Sequence, residues 1–457
     1  MNEREAYPPA QELRLAELLG ALSHALDLTE GQPPGHCVRC CWIGMHIGRE
    51  AGLCDAQLWD LYYTLLLKDL GCSSNAARIC RLYVTDDLAF KRDFKRIDGG
   101  LPQALRFVLA HTGLKAGLAE RFRAIVGILQ NGGEIARELI ETRCQRGAEI
   151  ARRMRFSEAV AQGVQNLDEH WDGGGSPLGA AGEGIPVHAR IALIAQVVDV
   201  FQSADGPQAA MREVARRAGS WFDPAWARAF ARAAADASFW RGLNSPTLEQ
   251  DVFALEPALD GDLVDEDYLD DIAAAFAQVV DAKSPFTSGH SDRVTLYADL
   301  IAEELGFSAA DRRRLRRAAL LHDIGKLGVS NSILDKPGKL DEAEWEAMRL
   351  HPAHSETILS RIHAFRDLAP IAGGHHERLD GKGYPRGLRG DEIGLETRIV
   401  TAADVFDALT AERPYRAAMP IPKALAIMEE GLGSSIDPTC FAALGRALQR
   451  VDALLAT

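Results

Sequence analysis

Residues 320–328 read Leu-Leu-His-Asp-Ile-Gly-Lys-Leu-Gly. This apolar stretch presents His322 and Asp323 as neighbours, so an imidazole and a carboxylate can reach one cation, and the carboxylate can span two cations with its two oxygens. Lys326 lies four residues after His322, on the same face if the helix continues. A buried His–Asp hydrogen bond that only fixes a helix is the commoner arrangement, so the role of this pair depends on other His and Asp residues.

The composition is that of an ordinary globular protein. The chain has 457 residues, of which 47% are apolar and 25% charged, and this length is typical of roughly two to four domains. A net charge of −14 argues against nucleic-acid polymers or anionic membranes as partners, because both require a basic surface. The best apolar run, 191–201, is too short to span a bilayer, and we expect a cytoplasmic protein.

Cysteine usage fits this expectation. The eight cysteines should be reduced thiols in the cytoplasm. Cys37, Cys40 and Cys41 lie beside His36, and this cluster could be a metal or redox site. The same spacing describes one buried helix face, where cysteine behaves as a small apolar residue, and we favour this packing role.

Apolar residues recur with helical spacing along most of the chain, and few stretches alternate with a period of two. The pattern therefore predicts an all-α fold. The clearest predicted helices of the first half are 11–28, 40–50, 56–68, 101–111, 119–130 and 134–155.

The two halves of the chain resemble each other at fixed offsets. The matched segments are 35–36 with 289–290 and 68–72 with 322–326, at an offset of 254, and 169–199 with 377–407, at an offset of 208. The difference, 254 less 208, means 46 extra residues in the first half, which we place around 86–131. The basic run 91–96 in this insertion is expected to be a solvated helix face.

Such internal similarity predicts two copies of one helical domain. We expect a first copy at 1–240, an acidic linker rich in proline and glycine at 241–267, and a second copy at 268–457.

The second copy carries five histidines and two aspartates beside apolar runs on separate predicted helices. A buried ionisable group costs free energy unless it is paired or bound to a metal. These side chains can converge inside a helical bundle and hold two cations. They are His290, His322, Asp323, His351, His375, His376 and Asp404.

The order of these residues resembles the HD-GYP family of bacterial cyclic di-GMP phosphodiesterases, which is a branch of the HD metal-dependent phosphohydrolases. The resemblance also includes Lys326, residues 336–338 and 380–381, and the Gly-Tyr-Pro sequence at 383–385. The resemblance covers about 268–445 and implies a tandem HD-type fold whose second copy is of the HD-GYP type. It implies a signalling enzyme that hydrolyses cyclic di-GMP to pGpG or onward to GMP. Another cyclic dinucleotide or nucleotide phosphate remains open as substrate, as does a module that binds the dinucleotide without hydrolysis.

The resemblance also implies roles for individual residues. One metal site would use His290, His322, Asp323 and Asp404. The other would use Asp323, His351, His375 and His376, with Asp323 bridging. The family uses iron or manganese, and a hydroxide bridging the two cations would attack phosphorus in line. Lys326 would act beside Asp323 in catalysis by neutralising the phosphoryl oxygens.

Further residues are expected around the substrate. Lys326, Tyr384, Arg413 and Arg416 would contact the nucleotide, although the two arginines could instead form surface ion pairs. Asp407 and Asp380 would support the ligands and the Gly-Tyr-Pro loop from behind.

The first copy has lost most of this set. His36 and Asp69 remain, but the other positions hold Lys68, Cys72, Arg143, Leu167, Asp168 and Gln196. We expect a copy without metal, in which the Lys68 ammonium replaces a cation and pairs with Asp69 or Asp168. The alternative is a single-metal site built from His36, Cys72, Asp69 and Asp168. A copy without catalysis could pack, sense a signal, or bind a second chain or a signalling protein.

Overall fold

The computed structural model describes residues 15–97, 101–114, 117–257, 264–413 and 416–455. These residues form α-helices, short 3₁₀ helices and isolated β-bridges. The predicted all-α class is therefore confirmed. Within the described ranges, no helix combines the length and the apolar character needed to cross a membrane.

The first half of the chain contains thirteen α-helices among its described residues. They are α1 (Leu15–Thr29), α2 (His36–Glu50), α3 (Asp55–Leu67), α4 (Ala76–Tyr83), α5 (Asp87–Phe94), α6 (Leu101–His111), α7 (Leu118–Arg153), α8 (Glu158–Gln165), α9 (Val187–Asp205), α10 (Pro207–Arg217), α11 (Pro224–Ala235), α12 (Ala237–Leu243) and α13 (Leu248–Phe253).

The second half continues with ten α-helices in the part of the chain that the structure describes. They are α14 (Glu266–Asp281), α15 (His290–Glu304), α16 (Ala309–Leu321), α17 (Asn331–Leu334), α18 (Glu342–Arg349), α19 (His351–Ser360), α20 (Ala369–Gly374), α21 (Leu395–Thr410), α22 (Ile421–Glu430) and α23 (Pro438–Leu455). The 3₁₀ helices are Cys72–Asn75, Gly182–Gly184, Ile324–Gly328, His363–Leu368 and Gly390–Glu392.

The duplication is visible in the helix boundaries. Helices α2 and α15 begin and end at positions separated by 254, and so do α3 and α16. Gly35 and Gly289 precede α2 and α15 with φ of 84° and 66°, a left-handed conformation that glycine adopts at low cost. The predicted tandem arrangement of one helical domain is confirmed.

The insertion in the first half builds a small core of its own. One large apolar core runs through both copies, whereas a second cluster joins helices α4 to α7. Its buried members are Ile79, Tyr83, Phe90, Phe107, Ile128 and Leu139.

Helix α7 spans 36 residues, where the sequence predicted two helices, 119–130 and 134–155. The predicted break fell at Gly132 and Gly133. Glycine inside a helix costs about 1 kcal/mol relative to alanine, which lowers helix stability without ending a helix that both flanking segments continue.

Part of the predicted linker packs on the first copy. Val252 of α13 is fully buried, and its carbonyl oxygen accepts a hydrogen bond of 3.2 Å from the Tyr62 hydroxyl. The predicted linker therefore includes a helix that contributes to the core of the first copy, while its residues 258–263 lie outside the described ranges.

The two copies meet at a buried polar cluster, here called the Asp87 junction, made of Asp87, Lys91, Lys283, Ser330 and Asn331. The Asp87 carboxylate accepts from the Asn331 backbone N–H at 2.8 Å and from the Ser330 hydroxyl at 3.1 Å. The ammonium groups of Lys91 and Lys283 lie 3.7 and 3.8 Å from Asp87 Oδ2. The insertion of the first copy thus reaches the chain that follows Asp323.

Candidate metal centre

Asp323 lies at the centre of a cluster of imidazoles and carboxylates. It follows α16 and opens the 3₁₀ helix Ile324–Gly328, so a helix end and a tight turn hold its carboxylate. The other members come from separate helices and, except for His376, are buried. They are His290 at the start of α15, His322 at the end of α16, His351 at the start of α19, His375 and His376 at the end of α20, and Asp404 within α21.

One oxygen of Asp323 faces the first predicted set. Asp323 Oδ2 lies 3.3 Å from His290 Nε2 and 3.2 Å from His322 Nε2. Asp404 Oδ1 completes this group at 3.4 Å from His290 Nε2. These atoms surround a space that one cation could fill.

The other oxygen faces the second predicted set. Asp323 Oδ1 lies 3.4 Å from His351 Nε2 and 3.6 Å from His375 Nε2. His376 joins these two histidines in a group whose possible ligand atoms all lie within 4.8 Å of one another. The seven residues that the sequence predicted as ligands are therefore brought together around one carboxylate.

The histidine rings are oriented from behind. Nδ1 of His322, His351 and His375 each lies 2.6–2.7 Å from the carbonyl oxygen of the residue three positions earlier. Because a carbonyl oxygen only accepts hydrogen bonds, Nδ1 carries the proton and Nε2 keeps a free lone pair. This is the tautomer that binds a metal through Nε2.

His290 is oriented differently, by an ion pair. Its Nδ1 lies 2.7 Å from Asp407 Oδ2, and Arg293 Nε donates to the other oxygen of Asp407 at 2.6 Å. Asp407 therefore lies behind His290 and holds its ring, at the position where the sequence analysis expects a supporting residue.

Several atoms of the cluster lack hydrogen-bond partners among the described residues. They are Nε2 of His290 and His322 and Oδ1 of Asp323, all buried. A buried polar atom without a partner costs about 1–3 kcal/mol, and divalent cations would satisfy these atoms. The donor set, imidazole nitrogen with carboxylate oxygen, suits iron, manganese or zinc, so the residues fit a metal centre.

The electrostatics agree with this donor set. Burial alone would raise the pKa of Asp323, but His322 and Lys326 hold it well below its usual range. Burial lowers the pKa of His375 to about 3, and burial with the neighbouring His375 lowers that of His376. The ionised carboxylate of Asp323 and the neutral imidazoles of His375 and His376 are therefore in the protonation states that bind metals. Burial would lower the pKa of His290, but the carboxylates of Asp323 and Asp407 raise it to about 9, so a cation bound there would displace a proton.

Two of the predicted substrate contacts lie at this cluster. The Lys326 ammonium forms an ion pair with Asp323. The Tyr384 ring lies 4.9 Å from the His376 ring at an angle of 32°. Both side chains are thus within reach of a molecule bound at Asp323.

The other predicted contacts have different surroundings. The Arg416 guanidinium donates to the carbonyl oxygens of Ala408, Leu409 and Ala417, so a phosphate contact would require breaking bonds that close the end of α21. Arg413 pairs with Arg416 through the backbone, and Pro414 and Tyr415 between them lie outside the described residues.

Asp380 belongs to the Gly-Tyr-Pro loop rather than to the metal ligands. Its carboxylate accepts from Arg378 at 2.7 and 3.0 Å and from the Lys382 backbone N–H at 3.0 Å. Asp380 therefore supports the loop. Among the hydrogen bonds of the described residues, none joins its carboxylate to a histidine of the cluster.

The corresponding place in the first copy is filled by protein cations. Lys68 Nζ lies 3.0 Å from His36 Nε2 and 3.3 Å from Gln196 Oε1, and it forms an ion pair with Asp69. Asp168 is paired with Arg143 instead. Of the two partners expected for Lys68, the structure selects Asp69. In the alternative single-metal set, Cys72 Sγ donates to Asp69 Oδ1 at 3.6 Å, whereas His36 Nδ1 lies 2.6 Å from Asp199 and Asp168 is held by Arg143.

A second buried cation, Lys95, was not predicted. Its Nζ lies 2.7 Å from Glu30 Oε2 and 3.8 Å from Asp69 Oδ1. The expectation of a solvated face for 91–96 was wrong for Lys91 and Lys95, whose side chains are only 7% exposed. Their spacing of four residues places both on one face of α5, and this spacing was the signal available in the sequence.

The cysteine cluster of the first copy lies in its core. Cys37, Cys40 and Cys41 are free and buried. Burial raises the pKa of all three thiols, so they are protonated near neutral pH and behave as small apolar side chains.

The HD domain family model matches residues 124–226 and 274–440, more than half of the chain. The chain belongs to the HD domain family. The two matched blocks fall in the two copies, and the HD domain of the second copy is of the HD-GYP type, as its motifs predicted.

Similar HD-domain proteins are known from several bacteria. The 3'3'-cGAMP-specific phosphodiesterase 3 of Vibrio cholerae is 58% identical over 434 residues, 95% of this chain and 94% of that protein. The cyclic di-GMP phosphodiesterase response regulator RpfG of Xanthomonas campestris is 42% identical over 38% of this chain and 47% of that protein. A crystal structure of a cyclic GMP-AMP specific phosphodiesterase of V. cholerae is 52% identical, covers 95% of this chain and 97% of that chain, and superposes with a TM-score of 0.66.

Proposed function

We propose that this protein is a metal-dependent phosphodiesterase that hydrolyses a cyclic dinucleotide at the Asp323 cluster. One observation carries the proposal: both oxygens of Asp323 face separate groups of imidazole nitrogens whose protons are held on the opposite side of the ring. Such a centre binds two cations and serves in-line displacement at phosphorus.

The favoured substrate is 3'3'-cGAMP. A relative named for this substrate matches both copies of the chain at 58% identity. Two relatives named for cyclic di-GMP match less than half of the chain, at 42% identity for the Xanthomonas campestris protein and 37% for the Thermotoga maritima protein. Cyclic di-GMP, the substrate expected from the sequence motifs, is therefore the second candidate.

The metals would be held by the residues already grouped around Asp323. His290, His322, Asp323 and Asp404 would hold one, and Asp323, His351, His375 and His376 the other. When bound, two divalent cations, iron or manganese, would supply Lewis acidity toward water and toward the phosphoryl oxygens.

The remaining work falls to side chains of this chain. Lys326 supplies a positive charge beside Asp323 and would neutralise charge on the phosphoryl oxygens as the bond to the leaving oxygen breaks. Asp407 keeps His290 in one orientation. Arg413 is proposed to contact the second phosphate, because a guanidinium can make two parallel hydrogen bonds to it.

For the first copy we propose a role without metal or catalysis. Lys68 and Lys95 contact opposite oxygens of Asp69, as the two groups of imidazoles do at Asp323. Two ammonium groups would thus balance the charge that two cations balance in the second copy. The copy remains as a packing and regulatory module.

The test is turnover of 3'3'-cGAMP, cyclic di-GMP and cyclic di-AMP by the purified full chain with iron or manganese. His322→Ala combined with Asp323→Ala should abolish release of linear product. The matched control is Lys68→Ala combined with Asp69→Ala, at the same positions of the first copy, with folding checked by circular dichroism. Turnover that persists in the first double variant would refute the proposed site.

A further inference from the structure

Helix α18 is an exposed helix at the edge of the Asp323 cluster. It ends at Arg349, two residues before His351, and none of its residues is buried. Asp341 and Glu344 cap its start with reciprocal hydrogen bonds of 2.8 and 2.9 Å, and Lys336 forms an ion pair with Glu344. The helix is thus fixed in place without contributing to the core.

This helix carries a large aromatic side chain toward the cluster. The indole of Trp345 is 45% exposed, and its ring lies 6.2 Å from the Tyr384 ring at an angle of 72°. Tyr384 in turn lies against His376. An exposed aromatic surface is therefore separated from a candidate metal ligand by a single ring.

Arg349 lies at the same place. Its guanidinium carbon is 4.9 Å from the centre of the Tyr384 ring, and Arg349 is exposed. Among the described residues, no carboxylate forms an ion pair with it. Its hydrogen-bond donors are held near the cluster by a cation–π contact and are available to a ligand.

Tyr384 itself is less suited to hold a base. The sequence led us to expect stacking or a hydrogen bond from this residue, but His376 and Arg349 both lie against its ring. Tyr384 is half-buried, whereas Trp345 is 45% exposed. Tyr384 positions the arginine, and Trp345 offers the surface.

We propose that Trp345 and Arg349 form a guanine subsite that selects among cyclic dinucleotides. The indole stacks on the base next to the scissile phosphate, since aromatic side chains stack on every base. The Arg349 guanidinium pairs with O6 and N7 of guanine, an edge that adenine does not offer because it carries an amino donor at that position. The inference rests on the proposed function and deepens it by naming the base that is recognised.

Trp345 is tested by its effect on substrate binding. Trp345→Ala should raise KM for 3'3'-cGAMP about 10-fold or more, with a smaller change in kcat, and Trp345→Phe should recover most of the loss. The affinity of the metal-free protein for 3'3'-cGAMP, measured by calorimetry, should fall by a similar factor. Leu296→Ala, which alters a 55% exposed side chain elsewhere, is the matched control.

Arg349 is tested by its effect on base preference. Arg349→Met should lower kcat/KM for cyclic di-GMP relative to cyclic di-AMP by about 10-fold. Arg349→Lys should not restore the ratio, because an ammonium group lacks the planar fork. Arg146→Met, at a surface arginine of α7 paired with Glu149, should leave the ratio unchanged.

The outcomes separate the two levels of the proposal. If the wild-type chain hydrolyses no cyclic dinucleotide in the presence of metal, the proposed function fails and the subsite fails with it. If the wild type is active but Arg349→Met keeps the guanine preference, or Trp345→Ala keeps KM and affinity, the subsite alone is refuted. Loss of preference in Arg349→Met together with raised KM in Trp345→Ala would support it.

Discussion

The carboxylate of Asp323 has more neighbours than hydrogen bonding can satisfy. Its two oxygens approach the Nε2 atoms of four histidines. In three of them, His322, His351 and His375, Nδ1 is bound to a carbonyl oxygen, so the proton lies on the far side of the ring from Asp323. Atoms with lone pairs that face one another repel unless a cation lies between them. The arrangement of this residue is therefore best explained by metal binding.

At the residue scale, the support of His290 by Asp407 can be tested. Asp407→Asn should weaken metal binding by about 10- to 100-fold, because the neutral amide no longer fixes the imidazole or strengthens its Nε2 as a donor. Competition with a chromophoric chelator for Mn²⁺ measures the change.

The first copy provides the control for this substitution. His36, Asp199 and Arg39 repeat the same contacts, with His36 Nδ1 and Arg39 Nε each 2.6 Å from Asp199. Asp199→Asn should leave Mn²⁺ affinity unchanged. Equal losses in the two variants would show that the effect is general destabilisation.

The sequence predicted residues of the cluster well where chemistry restricts the choice. A single histidine or aspartate beside an apolar run is usually structural, but seven of them on separate predicted helices are hard to satisfy by hydrogen bonds alone, so His290 and Asp404 could be selected. Lys95 was missed because the insertion has no counterpart in the second copy to align with, and its spacing of four residues from Lys91 was the one signal in the sequence that it shares a buried helix face. The phosphate contact expected of Arg416 rests on the resemblance of residues 413–416 to the family's phosphate-contacting segment, whereas here carbonyl oxygens at the end of α21 accept its hydrogen bonds.

At the element scale, the 3₁₀ helix Ile324–Gly328 packs closely against α19. A Cβ atom at Gly325 would lie 2.0 Å from the carbonyl oxygen of His351 and 2.7 Å from the backbone nitrogen of Ser355. These are backbone atoms that cannot turn away. The element that carries Asp323 and the element that carries His351 can approach only because residue 325 is glycine.

Gly325→Ala should therefore separate α19 from the turn. We expect the free energy of unfolding to fall by about 1–3 kcal/mol and the Mn²⁺ affinity to fall as His351 moves away from Asp323. Urea unfolding followed by circular dichroism and chelator competition measure the two effects.

Gly71→Ala is the matched variant in the first copy. Its Cβ would lie 1.9 Å from the carbonyl oxygen of Arg143, so a similar loss of stability is expected, but without a change in Mn²⁺ affinity. Wild-type metal affinity in Gly325→Ala would contradict the account of how α19 places His351.

Helices were predicted best where periodicity was strong and the copies could be compared. The boundaries of α2 and α15 repeat at one offset, which the matched motifs had indicated. The length of α7 was not predictable from the paired glycines, because its continuation depends on packing of both flanking segments. Helix α13 was also not predictable, because its acidic sequence flanked by prolines resembles a linker. Only the structure shows that Val252 of this helix is buried in the core.

At the scale of the whole molecule, the Asp87 junction connects the insertion of the first copy to the turn beside the metal cluster. Lys283 donates to the carbonyl oxygen of Leu327 at 2.9 Å, within the 3₁₀ helix that contains Lys326. Lys91 donates to the carbonyl oxygens of Thr29 and Cys72 at 3.0 and 2.9 Å, next to the centre of the first copy. One buried carboxylate thus lies between the two centres.

Asp87→Asn should destabilise the molecule by about 3–5 kcal/mol, because it leaves the buried Lys283 ammonium without its counter-ion. Adding Lys283→Met removes this uncompensated charge and should recover part of the loss. We also expect lower turnover in Asp87→Asn, since the turn that carries Lys326 loses its support.

Urea unfolding of the single and double variants measures this coupling. Asp391→Asn, which alters a fully exposed carboxylate, is the control and should have little effect. A double variant no more stable than Asp87→Asn would contradict the account of the junction.

The central claim is that the second copy alone holds the metals, with Asp323 shared between them. The most direct measurement is the metal content of the purified full chain after loading with Mn²⁺ and removal of excess, by inductively coupled plasma mass spectrometry. We predict two ions per chain in the wild type and in Lys68→Met, and loss of both in Asp323→Ala. Two ions retained by Asp323→Ala would contradict the claim, because they would have to lie elsewhere in the chain.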